Sequence, residues 1–235
     1  MKNMKMYRIV VFDLDGTIFE KPWNSTRKEV AVSTWDALFD KLGIYELHER
    51  LAKIFVEGGF KSYMEWTHCA CCAFMARGLD IKTFNEVINS RPYVKGAKET
   101  FEVLKRNGII TAVISGSFEE LALRAKNELG IDHILAHCRL EFDEKTGLLK
   151  DWHLFATDWK DKIKFVSYIA DLYKAKLEEC VYVGDDVNDI PVFDKVGLSI
   201  AFNATKRRVM EAAKVVIKGN DLRKILPFIG LKGKS

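Results

Sequence analysis

Two rhythms of apolar residues divide this chain. From Thr26 to about Asn89 they recur with the period of a helix. Ala31, Thr34, Trp35, Leu38, Phe39 and Leu42 fall on one stripe, which predicts a helix opened by a Thr26/Glu29 capping box and closed by Gly43. Leu47, Leu51, Ile54 and Phe55 form a second stripe, ended by Gly58 and Gly59. Phe60, Tyr63, Met64, Thr67, Cys71, Phe74 and Met75 form a third, ended by Gly78, and a shorter helix with a Thr83/Glu86 box is predicted from Thr83 to Asn89. Breaks this short favour an antiparallel bundle.

Elsewhere strands and helices alternate. Tyr7–Phe12, Ile109–Ile114, Val181–Val183 and Leu198–Ala201 are short runs rich in Val and Ile, the pattern of parallel strands buried on both faces. Helical stretches near 97–107, 117–129, 161–174 and 205–213 separate or follow them, with Gly108 and Gly130 at the expected C-caps. Residues 134–152 read instead as a hairpin turning at Lys145–Gly147. The expected fold is α/β: a Rossmann-like parallel-sheet core of residues 1–18 and 93–235, with an inserted all-helical domain of residues 19–92. Pro22 and Pro92 mark the junctions, and Pro22 and Ser90–Pro92 are the expected hinges. No internal repeat is visible, and the tail from Leu231 to Ser235 is expected to fray.

Composition narrows the class without naming a chemistry. Of 235 residues, 48% are hydrophobic and 30% charged, which excludes a disordered chain. With 15 Gly and 4 Pro, collagen-like and low-complexity classes are excluded too. An odd count of 5 cysteines does not make a secreted disulfide scaffold. The first apolar run stops at Phe12, too short for a signal-peptide core or a membrane span, so a cytoplasmic, reducing setting is expected. A net charge of +4, spread along the chain, gives no basis for a nucleic-acid partner.

Candidate chemistry gathers at strand ends. The first strand ends in Asp13 and Asp15, on one side of the chain by strand period, and Gly16 permits a sharp turn away. Two such carboxylates repel unless a cation or a proton intervenes; solvated turn residues are the plain alternative. Ser115-Gly116-Ser117 joins another strand to a helix, with a Ser117/Glu120 box. Free N–H groups at a helix start suit a phosphate oxygen, although Ser-Gly-Ser is also ordinary loop chemistry. Lys162, among charged neighbours at a predicted helix start, would alone be a surface lysine. Gly184-Asp185-Asp186-Val187-Asn188-Asp189 follows a third strand. Helix capping explains one of its Asp residues, and the rest suit a hard cation, Mg²⁺ in particular. In open parallel sheets, sites form outside the carboxyl ends of strands where strand order reverses. A phosphate among Asp13, Asp15 and Asp185 needs a divalent cation and Lys162 to offset repulsion, so the set makes sense as a Mg²⁺-dependent phosphoryl-transfer site.

Asp13-Leu14-Asp15-Gly16-Thr17, Ser115-Gly116, Lys162 and Gly184–Asp189 resemble, in that order, the four motifs of the haloacid dehalogenase (HAD) superfamily. The Lys162-to-Asp189 spacing is similar to that of its phosphoserine-phosphatase-like branch, and the insertion resembles the superfamily's helical C1 cap. The resemblance covers the whole core. It implies a Mg²⁺-dependent phosphatase that hydrolyses a small phosphorylated metabolite through an aspartyl-phosphate. Asp13 would be the nucleophile, and Asp15 the general acid and then base, with its backbone carbonyl on Mg²⁺. Ser115 and the Gly116 N–H would hold phosphoryl oxygens, Lys162 would neutralise developing charge, and Asn188 would touch the phosphate. Asp185 would be the second side-chain metal ligand after Asp13; Asp189 and Asp186 would orient the ion's surroundings. Two positions depart from the branch. Pro22 stands where the branch carries a substrate-binding carboxylate, with Glu20 out of register, and the branch's cap arginine has no counterpart.

A phosphomutase or other phosphotransferase would use the same motifs. A dehalogenase lacks the second Asp of the first motif, and a phospho-accepting regulatory module lacks both the Asp13/Asp15 pair and a cap. The sequence carries no mark of an oligomeric state. The insertion's aromatics, Trp23, Trp35, Tyr45, Phe55, Phe60, Tyr63, Trp66 and Phe74, are expected to be mostly bundle core, with Trp23 and Trp66 facing substrate. Cys69 and Cys72 have CxxC spacing but no second pair, so Cys69, Cys71 and Cys72 are expected to be buried small hydrophobes, like Cys138 and Cys180. His48, His133, His137 and His153 show no ligand spacing.

Overall fold

A computed structural model describes residues 7–30, 33–157 and 159–231; Ala31 of the first predicted stripe and most of the C-terminal tail lie outside the described residues. In chain order the strands are β1 (Ile9–Phe12), β2 (Trp23–Asn24), β3 (Glu29–Val30), β4 (Ile110–Phe118), β5 (His133–Phe142), β6 (Leu149–Leu154), β7 (Cys180–Gly184), β8 (Leu198–Phe202) and β9 (Val215–Ile217). The helices are α1 (Thr34–Lys41), α2 (Tyr45–Val56), α3 (Tyr63–Ala76), α4 (Ile81–Ser90), α5 (Ala97–Arg106), α6 (Glu119–Leu129), α7 (Lys162–Leu172), α8 (Ile190–Phe193), α9 (Arg207–Ala212) and α10 (Leu226–Ile229).

Seven strands form one sheet in the order β6-β5-β4-β1-β7-β8-β9, parallel except for β5 against β6. The fully buried β1 shows why its sequence has no polar face. Val10 and Phe12 pack with one apolar cluster that includes Trp35 and Trp66 of the insertion, and Ile9 and Val11 pack on the other face with Val166 and Ile169 of α7. Phe12 pairs with Val113 of β4 on one side and with Val183 of β7 on the other; β1 and β7 end almost level there, while β4 runs on to Phe118. The chain builds outward from β1 through β4 to β6, then crosses to β7 and builds the other way. The strand order therefore reverses beside β1, where an α/β sheet opens a crevice. The predicted hairpin is β5–β6, and its turn is closed by the Asp143 carboxylate, which accepts from the Thr146 N–H at 2.8 Å. The first half of β5 additionally pairs in parallel with β4.

The insertion is not all helical. Asn24 Oδ1 accepts from the Arg27 N–H at 2.8 Å and Lys28 adopts φ 56°, which closes a tight β2–β3 hairpin where a helix was expected. Helix α1 starts only at Thr34, capped by a Ser33/Asp36 box, and Thr26 bonds instead to the Asp40 carboxylate. Helix α4 starts before Thr83 because Asp80 caps it, accepting from the Thr83 N–H at 2.8 Å. The two stems of the insertion are clasped together. Phe19 stacks on Tyr93 at 4.5 Å, the Glu20 N–H donates to the Pro92 carbonyl, and Arg124 of α6 lies over both rings while donating to the carbonyls of Ile88 and Arg91. Among the described residues no helix is long and apolar enough to cross a membrane.

Candidate active site

The strand ends bring the carboxylates together. Oxygens of Asp13, after β1, and of Asp185 and Asp189, after β7, lie within 4.8 Å of one another, and all three residues are buried. Lys162, the first residue of α7, is fully buried rather than a surface lysine. Its Nζ donates to Asp13 Oδ1 at 2.6 Å and to Asp189 Oδ1 at 2.7 Å, and these carboxylates offset the cost of burying its charge. Asp189 is the hub of this arrangement. It also accepts from the Tyr182 hydroxyl at 2.8 Å and from the backbone N–H groups of Asp185 and Asp186 at 2.9 and 3.1 Å, fixing the loop that carries Asp185. Gly184 allows this approach, because a Cβ there would strike the Asp189 carboxylate. At Gly16, φ is 84° and a Cβ would strike Asp185, so the first motif requires glycine twice over.

The cluster is short of positive charge. Burial raises the Asp13 pKa well above the usual carboxylate range, against the opposing pull of Lys162. Burial likewise raises Asp185 to about 6, although Lys21 Nζ lies 2.7 Å from its Oδ2 and Thr17 Oγ1 donates to its Oδ1 at 3.1 Å. An all-oxygen, buried donor set that draws a lysine ammonium onto Asp185 fits a hard divalent cation. Asp186 stands outside this set. Its Oδ1 accepts from the Val187 N–H and from Lys206 Nζ, both at 2.6 Å, so it is engaged elsewhere than around the expected ion. Asn188 lines the cleft beside it.

The Ser115-Gly116-Ser117 segment is strand rather than helix cap. β4 pairs with β5 as far as Phe118, with a bulge between Ser115 and Phe118, so α6 starts after Phe118 and the Ser117/Glu120 box does not form. The bulge presents this backbone to the cleft. The Ser115 carbonyl accepts from Thr157 Oγ1 at 2.8 Å, and Ser117 Oγ is buried with no hydrogen-bond partner among the described residues. An unmet donor beside the carboxylates is what an incoming phosphoryl oxygen would satisfy.

The insertion reaches the second Asp of the first motif. Thr34 donates to the two Asp15 oxygens through its hydroxyl at 2.6 Å and its N–H at 3.1 Å, and buried Arg91 lies 3.6 Å away. Sequence reasoning placed Thr34 among stripe residues and Arg91 in a hinge; neither they nor Lys21 and Tyr182 stood out as site residues. The stripe itself was the available signal for Thr34, since a polar residue on an apolar face needs a buried partner. Above the carboxylates opens a cleft of about 670 Å³. Trp66 lines it, whereas Trp23 is 62% exposed and does not. Of the cysteines, Cys71, Cys138 and Cys180 are buried, but Cys69 is only half-buried and Cys72 is exposed, because α3 turns that face to solvent.

A family of haloacid dehalogenase-like hydrolases matches residues 7–197. The phosphoserine phosphatase of Methanocaldococcus jannaschii is 30% identical over 225 residues, 96% of this chain and 99% of that one. That of Wolinella succinogenes is 27% identical, over 94% of this chain and 100% of its own length. A solved structure of a phospho-aspartyl intermediate analogue of phosphoserine phosphatase has a TM-score of 0.77 at 29% identity, covering 97% of this chain and 100% of that one. The chain therefore belongs to the haloacid dehalogenase-like hydrolases, in their phosphoserine-phosphatase-like branch, and is a phosphoric monoester hydrolase.

Proposed function

We propose that the protein hydrolyses a small phosphomonoester in two displacements at Asp13, with Mg²⁺ as the resident ion, and that residues 19–92 act as a cap over a core of residues 1–18 and 93–235. The observation that carries this reading is Lys162 clamped between Asp13 and Asp189 beside Asp185. Asp13, Asp185 and the Asp15 backbone carbonyl would hold Mg²⁺, which when bound supplies the positive charge that lets an anionic phosphate approach.

Lys162 holds one Asp13 oxygen, and the other attacks phosphorus. The ester P–O bond breaks as Asp15 gives its proton to the leaving oxygen. Asp15 then takes a proton from the water that attacks the phosphoaspartate. The bond between Asp13 and phosphorus breaks, inorganic phosphate leaves, and Asp13 returns as a carboxylate. The N–H groups at Gly116 and Ser117 and the hydroxyls of Ser115 and Ser117 hold the phosphoryl oxygens, with Asn188 opposite. Thr34 orients Asp15 from the cap, so cap closure and acid catalysis are coupled. The substrate of the relatives does not transfer directly. Pro22 replaces a binding carboxylate, and Glu20 accepts from Asn220 Nδ2 at 2.5 Å instead of lining the cleft.

Hydrolysis of an aryl phosphate is expected with Mg²⁺ and not with excess chelator. Acid-quenched enzyme given ³²P-labelled substrate should retain label that hydroxylamine removes, as an acyl phosphate requires. Label resistant to hydroxylamine, or turnover unaffected by chelator, would overturn the proposal.

A further inference from the structure

The roof of the cleft has a composition that the phosphoryl chemistry does not use. Trp35, Phe55, Tyr63, Trp66 and Trp159 line it, and the carboxylate among them is Asp36. The rings are fixed against one another. Trp35 meets Trp66 at 75°, Phe55 meets Tyr63 at 73°, and Tyr63 stacks on Trp66 nearly parallel, at 9° and 5.3 Å. Packed this way they form one rigid aromatic wall of the cleft. The roof is also joined to the phosphate end, because Trp35 Nε1 and the Tyr63 hydroxyl both donate to the Gly116 carbonyl, at 2.9 and 3.3 Å. Trp159 adopts φ 52°, a strained conformation for a bulky residue and one more often kept where a side chain must be aimed.

Asp36 is 3% exposed. Its Oδ2 accepts from the Ser33 N–H and hydroxyl, at 3.0 and 2.6 Å. Among the described residues its Oδ1 has only the Tyr45 hydroxyl at 3.4 Å and His48 Nδ1 at 3.6 Å. No lysine or arginine pairs with it among the described residues. Burial lowers the His48 pKa against the opposing pull of Asp36, which favours the neutral imidazole. A buried carboxylate that lines the same cleft as these rings, and is paired with no lysine or arginine among the described residues, is complementary to a positive guest. A carboxylate-bearing guest would meet Asp36 as a like charge. The cationic side chains that line the cleft, Lys206 and Arg208, come from the core beyond β8, and Lys206 is already paired with Asp186.

We propose that the leaving group is a small alcohol bearing an ammonium group and no carboxylate, held by the aromatic wall of Trp35, Tyr63 and Trp66 and by the Asp36 carboxylate. The proposal rests on the phosphatase reading above and adds the substrate class. A primary and a quaternary ammonium share the chemistry, and two arms of the test separate them.

Purified full-length enzyme with Mg²⁺ is given phosphocholine, phosphoethanolamine, phosphoserine, the uncharged carbon isostere 3,3-dimethylbutyl phosphate, and an aryl phosphate. At least one of the first two should exceed both the isostere and phosphoserine about tenfold or more in kcat/KM, the size of one good charge contact. In Asp36→Asn that preference over the isostere should fall towards unity, chiefly through KM. If the variant folds poorly, choline binding to the wild type, read by tryptophan fluorescence, should exceed binding of 3,3-dimethylbutanol by a similar factor. Aryl phosphate hydrolysed with no preference for the cationic esters would overturn this inference alone. No hydrolysis of any ester would overturn the phosphatase reading, and this inference with it.

Discussion

At the floor of the cleft, Asp13, Lys162, Asp185 and Asp189 hold one another through bonds of 2.6 to 2.9 Å, and Asp189 alone serves four donors. At the roof, Trp35, Tyr63 and Trp66 are held by ring packing and by two hydrogen bonds to one carbonyl. The floor is an electrostatic set in which buried Lys162 is tolerable only because Asp13 and Asp189 flank it, and in which the surplus of carboxylates calls for a further cation. The roof is a packed apolar set that exchanges one ring for another at modest cost. Chemistry is therefore fixed where the charges are, and selectivity is free to drift where the rings are.

This contrast can be broken at either end. Asp13→Asn should lower phosphate release on the order of 10⁴-fold or more, as loss of a nucleophile does, while the melting temperature holds or rises because a crowded buried carboxylate has gone. Retained turnover in this variant would contradict the assigned nucleophile. Asp189→Asn touches no substrate in the proposed mechanism, yet it should weaken Mg²⁺ binding or turnover by about 10 to 100-fold and lower the melting temperature, because Lys162 and the Asp185 loop lose their common anchor. A titration of activity against Mg²⁺ and a thermal melt read both effects; wild-type values would show that the floor is not cooperative. Trp66→Phe at the roof should change KM by roughly tenfold or less and kcat hardly at all. A collapse in kcat there would mean that the two ends are not separable.

The smallest effect on rate is expected where α3 meets β5, and it is visible in stability. His137 on β5 is buried and bonds through Nε2 to Thr67 Oγ1 of α3 at 3.0 Å, and burial lowers its pKa to about 4. The folded protein keeps this imidazole neutral while the unfolded chain protonates it, so its contribution is present above the unfolded value near 6.5 and is lost as pH falls towards 4. Between pH 7 and pH 5 the loss should be on the order of 2 kcal/mol, and His137→Asn should flatten the dependence. Denaturation midpoints at the two pH values measure it; equal slopes in variant and wild type would remove His137 as the cause.

The same contrast explains what could be read from the chain before its fold was known. Asp13, Asp185 and Lys162 were legible because they sit at the ends of apolar strands or at a helix start, and parallel-sheet topology brings such ends together. Trp66 was expected at the cleft and lines it, but Thr34 and Trp35 were not legible as partners of the site, because a stripe residue facing the core and one facing a cleft obey the same spacing. Helix α1 began late because Asn24 and Lys28 could close a hairpin that the Thr26/Glu29 pattern concealed. Ser117 was misread as a helix cap because pairing with β5 carried β4 past it, and long-range pairing leaves no local mark.

The clasp at Phe19 and Tyr93 has an evolutionary corollary. The insertion departs and returns at a single point, with Arg124 bolting the two stems to the core. An insertion exchanged whole at that point would carry its own aromatic wall and its own Asp36 counterpart while leaving the carboxylate floor undisturbed. New selectivities can then be acquired by block replacement, provided that the incoming segment still offers a hydroxyl where Thr34 meets Asp15.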